Sequence, residues 1–276
     1  MTFREITAQD LPAIPGLLCE GFPSTTPGFW VRALDALSKR APVPDLPRYG
    51  IVLDNDGTLD GVMLMVSHES GEATYCNLSS WYVRDSHRGL ATFMFGHALR
   101  TKGVTFLDCS PTPGVVPIIE KFGFQPYTGG SLLLDPRVAL KRGPTVSRLT
   151  RADLAQIEPA ERARLDAHLD YGCQGFLAHD AKGAPTPILY RVARLKRHIP
   201  VARFVHGAPD AILAHAGSIL RHLIARAVPL ALVDWPAQTE APFGRALPSY
   251  GVRYRRGETA PALGDLLDTE YAVFGI

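Results

Sequence analysis

The chain has 276 residues, of which 46% are hydrophobic and 20% charged, and its 29 basic and 27 acidic residues leave a formal net charge of +2. The length fits two domains of ordinary size, and the composition excludes a mainly disordered chain, a collagen-like repeat and a coiled coil. A charge so close to zero offers no extended basic field, so we expect neither a nucleic-acid partner nor a membrane-surface partner.

The first half of the chain alternates helical and strand patterns. Apolar residues recur at helical spacing over residues 11–18 and 29–37, and Thr26-Pro27 supplies a cap and a first-turn proline for the second helix. Asp56-Gly57 is a hairpin turn signal, because glycine tolerates a positive φ. Strands are predicted over residues 49–53, 62–67, 74–83, 104–108 and 131–134, with helices over 89–102 and up to Lys121. This order indicates an α/β fold (α+β in its mixed sheet).

The second half has a similar order of elements after a linker at residues 141–144. Strands are predicted over residues 176–179, 188–195, 200–205 and 230–233, and a long amphipathic helix over residues 212–223. Residues 236–248 contain three prolines and replace the helix that stands at this place in the first half.

Two short matches suggest that the halves are copies of each other. Residues 4–11 resemble residues 147–154, and in both a short strand precedes a threonine followed three residues later by an aspartate, the spacing of a helix capping box. Residues 122–124 and 250–252, each an aromatic residue followed by glycine and an apolar residue, form a second pair. We therefore predict two tandem domains, residues 1–140 and 145–276.

Cysteine and histidine usage bears on location and metal binding. The four cysteines are scattered, and no H-E-x-x-H or C-x-x-C spacing occurs, so we expect an intracellular protein without a bound metal. Residues 1–7 lack the apolar segment of a signal peptide, and no run of about 18 apolar residues is present. These observations predict a cytoplasmic location.

The segment with most chemical information is residues 81–92, where a strand ends, a short turn follows and a helix begins. Backbone amides at such a helix start stabilise an anion such as a diphosphate. Gly89 and Ala91 would leave room for its approach, and Arg88 could add a charge-assisted contact. The alternative is a plain turn whose arginine faces solvent.

This segment resembles the acyl-CoA-binding motif of the GNAT superfamily of acyltransferases, Arg or Gln, two residues, Gly, one residue, then Gly or Ala. Gly89 and Ala91 match, but Ser86 stands where arginine or glutamine is expected. Residues 119–124 resemble the Tyr-Glu-Lys-x-Gly-Phe element of the family. The resemblance implies two tandem GNAT-like acyl-CoA N-acyltransferase domains. The second copy would be degenerate, with residues 205–210 at the strand-to-helix junction in place of the glycine-containing loop.

The resemblance also implies where a thioester would lie. The pantetheine arm would enter a V-shaped opening between residues 79–83 and the strand over residues 104–108, and the phosphates would meet residues 88–92. The residues implied to contact acetyl-CoA or another acyl-CoA are Tyr82, Val83, Arg88, Gly89, Leu90, Ala91 and Thr92.

The acid and base expected from the family are both missing. Ile119 replaces the tyrosine that protonates the departing thiolate, and residues 77–82 contain no carboxylate. Candidate substitutes are Ser110, Asp108 and Glu69, although a cap for a helix beginning near Pro111 is the favoured reading of Ser110, and strand-end carboxylates are commonly surface or capping groups. Cys109 is read as a packing residue, since no helper group is linked to it in sequence.

The acceptor pocket would involve the loop over residues 21–28, which is rich in glycine, proline and threonine and could move over a substrate. Phe29 and Trp30 follow it and have the helical spacing of core residues. The leading hypothesis is acyl transfer from acyl-CoA to an amine, with a small molecule as acceptor and the protein a monomer or homodimer. The alternatives are a non-catalytic acyl-CoA-binding or assembly protein, and an unrelated α/β enzyme that binds another phosphate ligand.

Overall fold

A computed structural model describes residues 1–180, 182–195 and 198–276. The chain forms two compact units, each built from two segments. The first unit comprises Met1–Pro126 and Arg253–Ala260, and the second comprises Tyr127–Val252 and Pro261–Ile276. Each unit contains one seven-stranded mixed sheet.

The first unit places its strands in the order β1-β2-β3-β4-β5-β14-β6. Only β4 and β5 run parallel, and the other neighbours pair antiparallel. The strands are β1 (Thr2–Glu5), β2 (Gly50–Asn55), β3 (Thr58–Ser70), β4 (Ala73–Val83), β5 (Val104–Asp108), β6 (Gln125–Pro126) and β14 (Tyr254–Arg256). The helices are α1 (Ile14–Gly21), α2 (Pro27–Ser38), α3 (Ala91–Ala98) and α4 (Val116–Lys121), with a 3₁₀ segment over Asp85–Leu90.

The second unit has the sheet order β13-β7-β12-β11-β10-β9-β8. Its strands are β7 (Ser131–Leu134), β8 (Ser147–Arg148), β9 (Gln174–His179), β10 (Pro185–Leu195), β11 (Ile199–His206), β12 (Leu230–Asp234) and β13 (Arg245–Leu247). Its helices are α5 (Pro159–Asp170), α6 (Pro209–Ala214), α7 (Ala216–Ile224) and α8 (Glu270–Val273), with 3₁₀ segments over Pro136–Leu140 and Asp153–Gln156. None of the helices in the described part of the chain is long and apolar enough to cross a membrane.

Read from opposite edges, the two sheets have the same arrangement, because β8-β9-β10-β11-β12-β7-β13 corresponds strand by strand to β1-β2-β3-β4-β5-β14-β6. The threonine–aspartate pairs also match. The carboxylate of Asp10 accepts hydrogen bonds from the amide and hydroxyl of Thr7 at 2.7 and 2.8 Å, and Asp153 accepts the same two from Thr150 at 2.7 Å each. The structure is therefore two copies of one topology, as the repeat predicts.

The two copies exchange their last strands. β7 follows the first copy in sequence but lies between β12 and β13 of the second sheet, and β14, near the end of the chain, lies between β5 and β6 of the first. The units consequently divide between Pro126 and Tyr127, with a return at Arg253, rather than at residues 140–145. The strand predicted over residues 131–134 exists, but it belongs to the other sheet. A four-residue apolar strand pairs equally well with either, so its pattern does not reveal its partner.

The exchange also changes the alignment of the second pair of sequence matches between the halves, residues 122–124 and 250–252. Phe122-Gly123 precedes β6 with one residue, Phe124, between them, and β13 occupies the place of β6 in the second sheet. The residues directly before β13 are Phe243-Gly244, and Gly244 has φ +84°, almost the +85° of Gly123. The segment over residues 250–252 lies instead between β13 and β14. The counterpart of residues 122–124 was therefore predicted one strand too late in the chain.

Three predicted helices have different bounds in the structure. The first begins at Ile14 rather than at residue 11, because the turn closed by Thr7 and Asp10 precedes it. The helix predicted over residues 89–102 ends at Ala98 and includes only residues 91–98, since Gly89 lies in the 3₁₀ segment. The helix predicted over residues 212–223 is broken at His215, whose Nδ1 lies 2.9 Å from the carbonyl oxygen of Ala211 and competes with the backbone for it.

Candidate functional site

β4 and β5 separate part of the way along their length. Their parallel pairing runs from Thr74 and Val104 to Asn77 and Leu107 and ends there, although β4 continues for six more residues. The edge of β4 that faces β5 therefore has no β5 partner from Leu78 to Val83. We call this region the β4–β5 opening. Unpaired strand edges offer amide and carbonyl groups to an extended ligand.

A β-bulge in β4 lies just beyond the point of separation. The register with β3 shifts between Val62, which pairs with Tyr82, and Leu64, which pairs with Ser79. Ser80 is in the left-handed region with φ +55°, and its hydroxyl is 3.1 Å from that of Ser79. A positive φ is costly for a serine and bends the strand, so the bulge redirects the end of β4 away from β5.

The end of β4 packs against the end of α1. A β-carbon added to Gly21 would lie 2.4 Å from Cγ of Tyr82, so only glycine allows the tyrosine ring to approach the helix this closely. Tyr82 is half-buried as a result, and Val83 is buried, which leaves its backbone as the part able to face a ligand.

Asp60, a buried carboxylate on β3, anchors the residues that follow β4. Its Oδ1 accepts a hydrogen bond from Nη1 of Arg84 at 3.1 Å, its Oδ2 lies 3.1 Å from Nδ1 of His87, and its carbonyl oxygen accepts the Arg84 amide at 2.9 Å. Arg84 also donates two hydrogen bonds to Glu20, at 2.8 and 2.9 Å. The hydrogen bond to Glu20 raises the pKa of Arg84, and the one from Arg84 lowers the pKa of Glu20. The start of the 3₁₀ segment is thus held to α1 and β3.

The 3₁₀ segment carries the residues predicted to meet the phosphates. Gly89 is exposed, and a β-carbon added to it would meet nothing within 4 Å, so no other group packs onto this glycine. At least two amides here are used within the protein, because His87 and Ala91 donate to the carbonyl oxygens of Arg84 and Arg88. A diphosphate here therefore has to draw on other groups of the segment.

The side chains of this segment differ in how far they are exposed. Arg88 is exposed and pairs with Asp85, its Nη2 lying 2.5 Å from Oδ1. Such an exposed pair contributes little and is readily exchanged for another anion. Thr92 is exposed, and Leu90 and Ala91 are half-buried. The long, exposed side chain of Arg88 can therefore leave Asp85 and bind a phosphate group instead.

Trp81 brings an unpaired donor to the opening. Its ring packs against Phe95 of α3, with centroids 5.1 Å apart, and its Nε1 is buried without a hydrogen-bond partner among the described residues. A buried unpaired N–H costs about 1–3 kcal/mol, so an acceptor on a ligand would relieve this cost. Sequence reasoning did not single out this group.

The end of β5 holds two of the predicted catalytic residues. Asp108 is buried and is the cross-strand partner of Tyr254 on β14, while Ser110 is exposed. α4 begins at Val116, so Ser110 is not its N-cap, contrary to the structural alternative considered for it. Ile119 is fully buried, as a packing residue would be.

Cys109, between Asp108 and Ser110, has a backbone role. It is fully buried, and its carbonyl oxygen accepts a hydrogen bond from Nη1 of Arg253 at 2.5 Å. The arginine is itself completely buried and reaches this place because β14 is inserted beside β5. The cysteine thus fixes the end of β5 through its main chain.

Glu69 lies apart from this group. It is exposed and pairs with Thr74 at the hairpin end of β3 and β4, where β4 and β5 are still paired. Thr74 precedes Asn77 by three residues, or about 10 Å along the strand. The structure therefore brings Asp108 and Ser110 to the opening but does not bring Glu69 there.

The loop predicted to line an acceptor pocket is held by one threonine. Thr25 donates its hydroxyl to the carbonyl oxygen of Phe22 at 2.6 Å and accepts a hydrogen bond from Nε1 of Trp30 at 2.8 Å. Trp30 is buried, as predicted for a core residue, whereas Phe29 is half-buried. These bonds tie the loop to α2 and favour one fixed conformation over a mobile lid.

The corresponding opening of the second unit is filled by the chain itself. Pairing between β11 and β12 ends at Arg203 and Leu232, although β11 continues for three more residues. The carbonyl oxygen of Val205 accepts a hydrogen bond from the Leu266 amide at 2.8 Å. A β-carbon on Gly264 would lie 2.3 Å from the carbonyl oxygen of Gly207, so this segment passes directly over the strand-to-helix junction.

Carboxylates of the same segment form ion pairs and hydrogen bonds with basic side chains nearby. Asp265 and Asp268 pair with Arg164 at 2.9 and 2.7 Å, and the Asp268 amide donates to Nε2 of His168 at 2.9 Å. Leu266 is buried between them. The segment thus seats two negative charges and an apolar side chain in the place that corresponds to the β4–β5 opening.

No protein-family model and no curated protein matches this chain. Solved structures match it in fold. A putative acetyltransferase from Pyrococcus horikoshii is 13% identical, with a TM-score of 0.58 over 98% of this chain and 95% of that one. A GCN5-related N-acetyltransferase from Anabaena variabilis is 10% identical, with a TM-score of 0.62 over 92% and 72%.

A tandem GNAT protein from the clavulanic acid biosynthesis pathway also matches, at 16% identity and a TM-score of 0.56 over 94% of this chain and 99% of that one. Identities this low show the fold alone. The chain therefore has the fold of tandem GNAT acyltransferases, as its sequence predicts, and both of its units are covered by these matches.

Proposed function

We propose that the chain is an acyl-CoA-dependent N-acyltransferase that uses the β4–β5 opening of its first unit. The observation that carries this proposal is the end of strand pairing at Asn77 and Leu107, followed by the bulge at Ser80. It leaves an unpaired strand edge beside an exposed loop in a fold shared with acetyltransferases. An acyl-pantetheine arm is extended and carries amides, so it fits such an edge.

The residues of the opening suggest a division of roles. The backbone of Tyr82 and Val83 would bind the pantetheine amides, and residues 88–92 would contact the phosphates, with Arg88 exchanging Asp85 for a phosphate oxygen. Asp108 lies at the end of β5 and would accept the proton of the attacking amine through water. Most of the rate increase would come from holding the amine against the thioester carbon. The acceptor class is a small-molecule amine.

We expect one acyl-CoA per chain, because the segment around Leu266 fills the second opening. Calorimetric titration with acetyl-CoA and longer acyl-CoAs tests this directly and should give a stoichiometry of about one. A stoichiometry of two would contradict the closed second unit, and no binding of any thioester would contradict the proposed function.

The matched pair Gly89→Glu and Gly16→Glu tests where the thioester binds. At both positions a β-carbon meets nothing within 4 Å and φ is not positive, so both variants should fold. Glutamate at position 89 places bulk and negative charge where the diphosphate would lie, and we expect at least about a tenfold loss of affinity, or about 1.4 kcal/mol. Gly16→Glu on α1 should bind as the natural protein does. Equal binding by both variants would place the phosphates elsewhere.

A second candidate function is non-catalytic binding of acyl-CoA. The observation in its favour is that Ile119 stands where the related motif has its tyrosine. This side chain is buried and has no acidic proton to donate to a thiolate. Free thiol release with a panel of amines and alcohols separates the two functions. Thiol release that depends on an added amine supports the transferase, whereas tight binding without release supports the binding protein.

A further inference from the structure

We infer that Tyr254, carried into the first sheet by the exchanged strand β14, donates the proton that the departing CoA thiolate takes up. This inference rests on the proposed function, since it names the acid of that same site. It assigns a chemical task to a residue from the far end of the chain, which the exchanged strand brings into the first unit.

The register of β14 brings Tyr254 to the opening. β14 is inserted between β5 and β6, with Tyr254 paired to Asp108 on one side and to Pro126 on the other. Asp108 is one residue beyond Leu107, the last residue of β5 that pairs with β4. Cross-strand partners place their side chains on the same face of a sheet, with β-carbons about 4.5–5.5 Å apart. The phenol therefore stands beside the Asp108 carboxylate at the level where β4 and β5 separate.

The surroundings of Tyr254 keep its phenol protonated. The residue is 8% exposed, and burial, together with the negative charges of Glu120 on α4 and Asp108 on β5, raises its pKa. On the remaining neighbouring strand, β6 contributes Gln125 and Pro126, which carry no charge. A thiol titrates near pH 8.5, below a phenol, so the Tyr254 phenol is still protonated where a thiolate forms and can hold that thiolate by a hydrogen bond. Transfer of its proton to sulfur is uphill and is drawn forward by the return of the amine proton through Asp108.

The reaction balances with this donor. The amine nitrogen forms a bond to the thioester carbon, the carbon–sulfur bond breaks, and the electron pair leaves with sulfur. The Tyr254 proton goes to that sulfur, which gives free CoA. The surplus proton on the new amide nitrogen passes through water to Asp108 and from there to the phenolate, which restores both side chains. The net change is one amine and one thioester converted into one amide and one thiol.

Other side chains of the first unit are less suited to this task. Ile119 has no proton to give. Tyr75 is paired with Thr105 in the closed part of the sheet, and Tyr82 lies five residues beyond the last β4–β5 pair with its ring against Gly21. Cys109 is fully buried. Tyr254 is the phenol that the register places next to a carboxylate at the point of separation.

The test compares Tyr254→Phe with Tyr75→Phe in the full chain. Both replacements remove one hydroxyl from a buried tyrosine of the same sheet. We measure the Kd for acetyl-CoA by calorimetry, the melting temperature, and thiol release with the amine panel or, where no amine is accepted, with water. Tyr254→Phe should keep its Kd and melting temperature but release thiol about 100-fold more slowly, whereas Tyr75→Phe should match the natural protein.

Each outcome decides the inference. Thiol release by Tyr254→Phe at the natural rate would overturn the role of the phenol and leave the proposed function standing. A weaker Kd with an unchanged rate would overturn it in favour of a binding role. Absence of acetyl-CoA binding by the natural protein would overturn the proposed function and this inference with it.

Discussion

Leu266 donates its backbone N–H to the carbonyl oxygen of Val205 at 2.8 Å, and by this bond the C-terminal segment occupies the opening of the second unit. Only a glycine two residues earlier lets the chain pass so close to the strand-to-helix junction, since a β-carbon on Gly264 would lie 2.3 Å from the Gly207 carbonyl oxygen. The second copy is thus closed by a particular segment rather than merely lacking its binding motif.

Replacement of Gly264 by alanine should destabilise the second unit more than its backbone conformation alone requires. Gly264 has φ +86°, which costs a side chain about 1–2 kcal/mol, and the clash with Gly207 adds about 1–3 kcal/mol. Denaturant unfolding of Gly264→Ala measures the sum. The matched control is Gly183→Ala, with φ +83° and nothing within 4 Å of the added carbon. Equal losses for the two variants would mean that the segment moves aside easily.

The contact of Gly21 with Tyr82 should couple α1 to the site. Gly21→Ala places a methyl group 2.4 Å from Cγ of the tyrosine ring, and we expect a loss of about 1–3 kcal/mol in the free energy of unfolding, together with weaker acetyl-CoA binding. Gly16→Ala is the control on the same helix, where a β-carbon meets nothing and alanine should stabilise by about 0.5–1 kcal/mol. Unchanged acetyl-CoA affinity in Gly21→Ala would show that the position of Tyr82 does not matter for binding.

The anchoring of Arg84 and His87 by Asp60 should be needed for a preformed loop. Asp60→Asn keeps the shape of the side chain but removes the charge that holds both residues, and we expect a loss of about 1–3 kcal/mol in stability and a lower affinity for acetyl-CoA. Asp35→Asn removes the charge of an exposed pair with Lys39, 2.7 Å away, and should cost about 0–1 kcal/mol. An affinity that survives Asp60→Asn would contradict a role for this anchor.

The stability of the second unit should depend on pH through His206. Burial lowers the pKa of this histidine, but Asp265 and Glu161 outweigh that effect, so its pKa is raised above 6.5. A raised folded-state pKa gives a stabilisation that is complete below about pH 6.5 and is lost as the pH rises through the folded value. The two carboxylates have lowered pKa values and lose their contribution only on strong acidification.

His206→Gln should therefore remove stability at about pH 5.5 but little at about pH 8.5, as measured by denaturant unfolding at both. His222, which lies on α7 and contacts the Ser218 carbonyl oxygen, offers the same replacement away from these carboxylates. An effect of His206→Gln that is the same at both pH values would show that the ion pairs of His206 do not stabilise the unit.

Local pattern was sufficient for much of the fold. Thr26-Pro27 starts α2, where the Thr26 hydroxyl accepts the Phe29 amide at 3.3 Å, and Asp56 and Gly57 have the positive φ values of a tight hairpin. β5 runs over the predicted residues 104–108. These features depend on neighbours within a few residues, which is why they can be read from the chain. The helix Pro159–Asp170 was not predicted, because its apolar residues do not form a clear stripe.

The sequence by itself determined the duplicated α/β order, the strand-turn-helix corner at residues 81–92 and the absence of a tyrosine at position 119. Tertiary structure alone decided the exchange of β7 and β14, the positive φ of Ser80, and the closing of the second opening by Leu266. The physical reason is that short strands, bulges and buried ion pairs gain their stability from partners far along the chain. Tyr254 and Asp108, 146 positions apart, become neighbours only through such a pairing.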